Sequence, residues 1–169
     1  TQVPDKGLDY SALKTTDLLI LNEVSNFSSG MIQEVMKFVQ DGGNLLFLPS
    51  EKLDLSSTNE LLLAVGTEKL ANADSTKLKV EGVNLQSELF KNVFTEWEDR
   101  IDLPAVNKYY ITETRSTSTA ERLLTLGNGQ PLLTACTNGK GKCYVISTSL
   151  HDAWTNFQRH ALFVPTLYN

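Results

Sequence analysis

The strongest constraint on the fold is a strand, helix and strand pattern within residues 17–48. Residues 18–21 are apolar at every position, which is typical of a strand buried on both faces of a parallel sheet. Apolar residues at helical spacing follow at Met31, Ile32, Val35, Met36 and Val39. A second apolar run covers 45–48, and two strands joined by one helix form a right-handed βαβ unit. The pattern therefore predicts an α/β fold with 18–21 as a central strand.

Polar residues and glycines mark where the helices begin and end. Ser28-Ser29-Gly30 comes just before the first helical pattern and offers candidate N-caps, and Gly42-Gly43 can end that helix because glycine accepts a positive φ. Residues 57–60 resemble a capping box, which predicts a short second helix that Gly66 closes.

The chain changes character after the second helix. Residues 66–135 contain shorter segments that are rich in Ser, Thr and Asn, which favours antiparallel strands. The predicted strands are 77–80, 108–111, 122–126, 132–135 and 143–147. We expect residues 152–163 to form a final helix.

These elements favour one domain over residues 1–169, built as a three-layer flavodoxin-like sandwich with 66–135 as an antiparallel β-rich insertion. A complete doubly wound sheet usually has another strand and helix before Asp17, and residues 1–16 are too few to supply them. The chain also stops just after the apolar stretch 161–164. We therefore read it as a fragment truncated at its N-terminal side, and expect an exposed sheet edge and self-association.

Charge and hydropathy exclude two classes of partner for this segment. The formal net charge is −5, and the densest basic cluster is Lys140-Gly141-Lys142, so no basic face for a nucleic acid is evident. No apolar run approaches the roughly 18 residues of a membrane-spanning helix. Any membrane attachment has to come from segments outside these residues.

Five segments of the chain carry a resemblance to a known family: residues 17–23, 42–49, 139–142, 154–165 and 167–169. They are similar to the class I glutamine-amidotransferase-like superfamily, and more closely to the C-terminal extracytoplasmic region of BatA-like membrane proteins of the Bacteroidetes. The resemblance implies a membrane-anchored protein with this domain on the periplasmic face of the cell envelope. It also implies that the partners are other envelope or membrane proteins.

An active amidotransferase of this class has a Cys nucleophile after the second strand, with a His and a Glu nearby. Here the strand 45–48 runs into Pro49-Ser50-Glu51, so the Cys is absent. Ser50 is a weak substitute, and His151 with Asp152 stands where the family has its His. For each of the three, the simpler reading is a polar residue at the end of a strand.

The sequence predicts no metal and no cofactor. His151 and His160 lack a clustered set of carboxylates. The acidic residues Glu96, Glu98, Asp99 and Asp102 lack the spacing and the turn glycine of a calcium loop.

Cys136 and Cys143 flank a hairpin signal at residues 138–141. If 137 pairs with 142, the two cysteines face each other and a disulfide is conceivable; otherwise they pack as free thiols. Both alternatives stay open at the level of sequence.

We therefore expect a non-catalytic module that takes part in protein assembly or binds a ligand. One alternative is a divergent hydrolase or amidotransferase-like enzyme centred on Ser50, His151 and Asp152. The other is a carbohydrate-binding accessory domain that uses its aromatic residues, Trp97, Tyr109, Tyr110, Trp154 and Phe157.

Overall fold

The computed structural model describes residues 10–90, 102–115 and 118–164. A short 3-10 helix, Tyr10–Thr15, leads into the first strand. The α-helices are α1 (Ser29–Asp41) and α2 (Leu55–Ala64). The strands are β1 (Leu18–Asn22), β2 (Asn44–Leu48), β3 (Lys69–Asp74), β4 (Leu78–Val83), β5 (Ala105–Val106), β6 (Tyr109–Glu113), β7 (Glu121–Leu126), β8 (Pro131–Asn138) and β9 (Gly141–Ile146). In the described part of the chain, no helix is long and apolar enough to span a bilayer.

The predicted α/β class is confirmed. Seven strands form one mixed sheet in the order β1-β2-β9-β8-β7-β4-β5, and β3 pairs with β6 in a second, two-stranded sheet. β1, β2 and β9 run parallel to one another, whereas β9, β8, β7 and β4 are joined by antiparallel pairs. The predicted boundary at residue 135 falls inside β8, which runs through to Asn138.

The prediction that 18–21 is a central strand is wrong. β1 is the outermost strand of the described sheet, and its burial alternates along the strand. Leu19 and Leu21 face α1 and are buried, whereas Leu18 and Ile20 are 41% and 46% exposed. The strand that is buried on both faces is β2, since it lies between β1 and β9.

The predicted packing of α1 on the strands is confirmed. The helix buries Met31, Ile32, Val35, Phe38 and Val39, and these residues join one core cluster with side chains of β1 and β2. Ser28 is the N-cap, since its hydroxyl accepts a bond from the Met31 amide, and Gly42 ends the helix at φ 122°. α2 begins earlier than its sequence suggested, because Asp54 caps it by accepting a bond from the Ser57 amide.

The two faces of the main sheet are covered differently. Both α-helices contribute to one core cluster on the same face. The cluster on the other face is completed by irregular segments that bring in Leu89, Phe90, Phe157 and Leu162. The expected flavodoxin-like three-layer arrangement, with helices on both faces, is not confirmed by the described residues.

The β8–β9 hairpin packs against the end of α1. Its turn is Gly139-Lys140, and the Lys140 amide donates to the carbonyl of Gln40. Gly141 approaches the helix end so closely that an added Cβ would lie 2.1 Å from the Gly43 carbonyl oxygen. The glycine is therefore required by a close approach of two backbones.

The predicted final helix at 152–163 is wrong. The segment contains turns and one three-residue 3-10 helix, Phe157–Arg159. Bonds to β5 hold the chain in this shape: the Thr155 hydroxyl donates to the Ala105 carbonyl, and the Ala105 amide donates to the Asn156 side chain. Continuous helix would break these bonds, and the tertiary contacts prevail over the weak helical pattern.

The alternating burial of β1 yields a stability prediction. Leu19→Ala should lower the free energy of unfolding by about 2–4 kcal/mol, because the site is buried under α1 and cannot fully collapse. Ile20→Ala, on the same strand, should cost less than about 1 kcal/mol because that side chain is half exposed. Urea denaturation of both variants measures the difference. Equal losses would contradict the orientation of the strand.

A second prediction concerns Gly141. Gly141→Ala should destabilise the protein by more than about 2 kcal/mol, since its methyl group has to displace the Gly43 and Val39 carbonyls. Gly30→Ala is the matched control, because an added Cβ there meets nothing within 4 Å and alanine favours the helix. Thermal melting that shows no loss in Gly141→Ala would mean that the hairpin does not lie against α1 as described.

Candidate functional site

The carboxyl ends of the parallel strands β1, β2 and β9 meet at one edge of the sheet. Ligands of open α/β sheets usually bind at this edge, so it is the first place to search for a site. An open groove of about 510 Å³ lies here, lined by Asn22, Glu23, Leu150, His151, Asp152, Gln158 and Arg159. Two of the three residues singled out from the sequence line it, and Ser50 lies just after β2.

The Ser50 side chain has a local structural partner. Its hydroxyl accepts a hydrogen bond from the Lys52 amide at 3.2 Å, which forms a tight turn after β2. Its carbonyl accepts a hydrogen bond from the Tyr110 hydroxyl at 2.8 Å. Burial raises the pKa of that tyrosine, so it remains a donor at neutral pH. No hydrogen bond joins Ser50 to His151 within the described residues.

His151 pairs with Glu51, a residue that the sequence did not single out. Nδ1 of His151 lies 3.0 Å from Oε1 of Glu51, and the same nitrogen lies 3.3 Å from the Ala153 amide. A protonated Nδ1 donates to the carboxylate, whereas an unprotonated one accepts from the amide. Both side chains are well exposed, at 60% and 40%, so the pair is a weak surface interaction. The sequence signal that could have pointed to Glu51 is its position directly after Pro49-Ser50, just beyond the end of β2.

Asp152 does not assist His151. Its carboxylate accepts a bond from the Gln158 side chain at 2.6 Å and forms an ion pair with Arg159. The aspartate therefore ties the turn that follows β9 to the 3-10 helix at 157–159. The sequence placed Asp152 beside His151 in one candidate site, but the structure gives the two side chains different partners.

Glu23 ends β1 with an unusual backbone. Its φ is 56°, in the left-handed region that residues other than glycine rarely adopt. Its amide donates to the Leu48 carbonyl at 3.1 Å, which holds the turn against the end of β2. This geometry aims the chain away from the sheet and leaves the Glu23 carboxylate exposed at the rim of the groove.

The two cysteines face each other across the hairpin. Cys136 pairs with Cys143 because residue 137 pairs with 142, which resolves the register that the sequence left open. Both are buried free thiols, and the Cys136 sulfur donates to the Val65 carbonyl at 3.7 Å. The hydrogen bond with Cys136, and then burial, raise the pKa of the Cys143 thiol.

The aromatic residues do not form an exposed sugar platform in the described residues. Tyr109, Tyr110, Trp154 and Phe157 are all buried. The Trp154 ring packs 5.3 Å from that of Tyr110, and the Lys108 amine covers it at 4.5 Å. Trp97 lies outside the described residues.

No metal centre is evident in the parts of the chain that the structure covers. No group of three or more His, Cys, Asp or Glu side chains comes together there in a way that would hold an ion. Of the acidic cluster, Asp102 alone is described; its ion pair with Lys79 at 2.8 Å lowers the pKa of its carboxyl group. Glu96, Glu98 and Asp99 lie outside the described residues.

Comparison with known proteins shows the fold and not the family. No family model and no curated protein matches the sequence. Among solved structures, the cytoplasmic protein STM3548 from Salmonella typhimurium superposes with a TM-score of 0.71 at 14% identity, over 98% of this chain and 73% of its own. The mmIFT52 N-terminal domain superposes with a TM-score of 0.63 at 14% identity, over 94% of this chain and 77% of its own.

A glycosidase also contains this fold. Gan42B, a GH42 β-galactosidase from G. stearothermophilus, superposes with a TM-score of 0.60 at 18% identity. The match covers 92% of this chain but only 21% of the β-galactosidase. Identities this low establish a common fold alone.

These similarities correct two expectations from the sequence. The assignment to the class I glutamine-amidotransferase-like superfamily and to BatA-like proteins is wrong, since no family model matches and the structural similarity is instead to the two Salmonella proteins and the mmIFT52 domain. The periplasmic, envelope location is contradicted as well, because two structural neighbours are named as cytoplasmic proteins. Short apolar strands and Gly-Lys-Gly turns recur in many α/β proteins, so the matching segments were not specific enough.

The buried cysteine pair leads to a chemical prediction. In the folded protein, both thiols should react with Ellman's reagent much more slowly than free cysteine, because burial and a raised pKa suppress the thiolate of Cys143. In guanidinium chloride, both of the chain's two cysteines should react rapidly. Rapid reaction before unfolding would contradict the burial, and no reaction after unfolding would reveal a disulfide.

Proposed function

We propose that this domain is a non-catalytic binding module that assembles with another protein or holds a ligand. The observation that carries the proposal is the separation of the candidate groups at the strand ends. The Ser50 hydroxyl caps a turn, His151 contacts Glu51, and Asp152 holds Gln158 and Arg159. A nucleophile needs a base within hydrogen-bond reach, and these residues do not provide that arrangement.

The charge distribution supports a protein partner over a nucleic acid. The net charge is −5, and the exposed Glu23 lines the groove at the strand ends, where Arg159 is already paired with Asp152. A nucleic-acid phosphate backbone would be repelled by such a surface. The finer fold assignment, a flavodoxin-like three-layer sandwich, also stays a proposal; the parallel β1-α1-β2 unit supports it.

The second candidate function is a divergent hydrolase. One observation favours it: Glu51, which directly follows Ser50 after β2, pairs with His151 after β9. The hydrolase would require the Ser50 hydroxyl to leave the Lys52 amide and to bond to His151. A carbohydrate-binding role gains no support from the buried aromatic residues.

An activity assay separates the two proposals. The wild-type domain should hydrolyse neither glutamine nor p-nitrophenyl acetate faster than buffer, because the Ser50 hydroxyl bonds to the Lys52 amide and not to His151 or Glu51. Ser50→Ala and His151→Ala should give the same background rate. His160→Ala is the matched control, since this histidine contacts the carbonyl of Asp102, 58 residues earlier in the sequence. Turnover that Ser50→Ala and His151→Ala abolish and His160→Ala preserves would establish the hydrolase instead.

A further inference from the structure

The backbone of β1 presents a row of unused hydrogen-bonding groups. The Asp17 carbonyl accepts from the Asn44 amide at 2.8 Å, and the Glu23 amide donates to the Leu48 carbonyl at 3.1 Å. The backbone amide and carbonyl groups of successive residues point alternately to the two sides of a strand. These two bonds therefore show that the backbone groups of residues 17, 19, 21 and 23 point toward β2. The amides and carbonyls of Leu18, Ile20 and Asn22 therefore point away from the sheet, and none has a partner among the described residues.

The exposed side chains of β1 continue the apolar core toward this edge. Ile20 lies beside Leu46 in the register of the two strands, and Leu46 belongs to the core cluster on that face. Ile20 and Leu18 are nonetheless 46% and 41% exposed. Soluble proteins usually protect an edge strand with a charge, a proline or a bulge, and the sequence of β1, Leu-Leu-Ile-Leu-Asn, contains none of these.

The opposite edge of the sheet shows how this protein protects an edge. β5 is only two residues long, and Val106 forms a further bridge with Thr155. The Thr155 hydroxyl also bonds to the Ala105 carbonyl. That edge is short and covered, whereas β1 is longer and open within the described residues. The contrast indicates that the open edge is not a general property of the sheet.

The charges at the ends of β1 discriminate between possible occupants. Asp17 and Glu23 bracket the strand, are exposed, and have no ion-pair partner among the described residues. A second copy centred on Ile20 in antiparallel register would place Asp17 opposite Glu23, and an in-register parallel copy would pair each acid with itself. Like charges directly opposite each other destabilise a strand pair. A strand with basic residues at both ends meets opposite charges in either direction.

We propose that β1 is a docking edge for an extended segment of another polypeptide chain, with apolar residues at alternate positions and Lys or Arg at both ends. The segment adds a strand to the sheet, with main-chain bonds to Leu18, Ile20 and Asn22 supplying affinity. Its apolar side chains cover Leu18 and Ile20, and its basic ends meet Asp17 and Glu23. This inference rests on the proposed binding function and names the surface and the partner's chemistry.

The test uses a fluorescein-labelled peptide, Lys-Val-Thr-Val-Thr-Val-Lys, which matches residues 17–23 in length. Fluorescence anisotropy with the full chain should show saturable binding. Two further peptides isolate the contributions: one with Glu at both ends, and one with methylated amide nitrogens at all five residues between the lysines, which blocks pairing in either direction. The Glu peptide should bind at least about tenfold more weakly, a difference of roughly 1.4 kcal/mol, because both end pairs become repulsive. The methylated peptide should not bind.

Protein variants locate the site. Ile20→Lys should abolish binding of the first peptide without unfolding the protein, because the side chain is half exposed and the change places a charge on the edge. Lys142→Glu is a control on an exposed residue of β9 and should leave binding unchanged. The double variant Asp17→Lys, Glu23→Lys should reverse the preference, so that the Glu peptide binds more tightly than the Lys peptide. Thermal melting checks that each variant is folded.

Several outcomes would overturn the inference. Absent binding, or equal binding of the methylated peptide or of Ile20→Lys, excludes strand addition at β1. Sedimentation velocity that shows a dimer of the free protein, lost in Ile20→Lys, assigns the edge to a second copy instead. These failures leave the proposed non-catalytic function standing, since the hydrolysis assay tests that function separately.

Discussion

β9 joins the two halves of the sheet, and the positions of the other elements follow from it. It pairs parallel with β2 through Leu45, Leu46 and Phe47, and antiparallel with β8 along the whole hairpin. Cys143 and Ile146 of β9 are completely buried, so the strand lies at the centre of both core clusters. Because a strand near the C-terminus lies beside β2, residues 147–151 leave the sheet next to residues 49–51.

This placement explains why polar groups meet at the strand ends and why Ser50, His151 and Asp152 have separate partners. Buried hydroxyl groups fix the exit from β9: the Ser147 hydroxyl donates to the Pro131 carbonyl at 2.9 Å, and that of Thr148 donates to the Lys108 carbonyl at 2.7 Å. His151 then emerges at the surface opposite Glu51. The local bonds that stabilise these turns also occupy the polar groups that chemistry would require. The strand ends are therefore stable and polar, but their functional groups are not convergent.

The sequence predicted the elements whose signals are local. The apolar spacing of α1, a cap within Ser28-Ser29-Gly30 and a stop at Gly42-Gly43 each depend on a few neighbouring residues. The structure contains all three, with Ser28 as the cap and Gly42 as the stop. The position of β1 at the end of the strand order could not be predicted, because an apolar run does not reveal which strands will lie beside it. The shape of residues 152–163 also depends on distant partners, notably the bonds of Thr155 and Asn156 to Ala105. Glu51 was missed for the same reason, since its partner is 100 residues away.

The proposed docking site requires that β1 is an open edge with the orientation described, and amide hydrogen exchange measured by NMR tests both features directly. The amides of Leu19, Leu21 and Glu23 bond to β2 and should be protected, whereas those of Leu18, Ile20 and Asn22 should exchange without protection. Such an alternation would establish the free edge in solution. Uniform protection along 18–22 would contradict it, because another strand would then already occupy the edge.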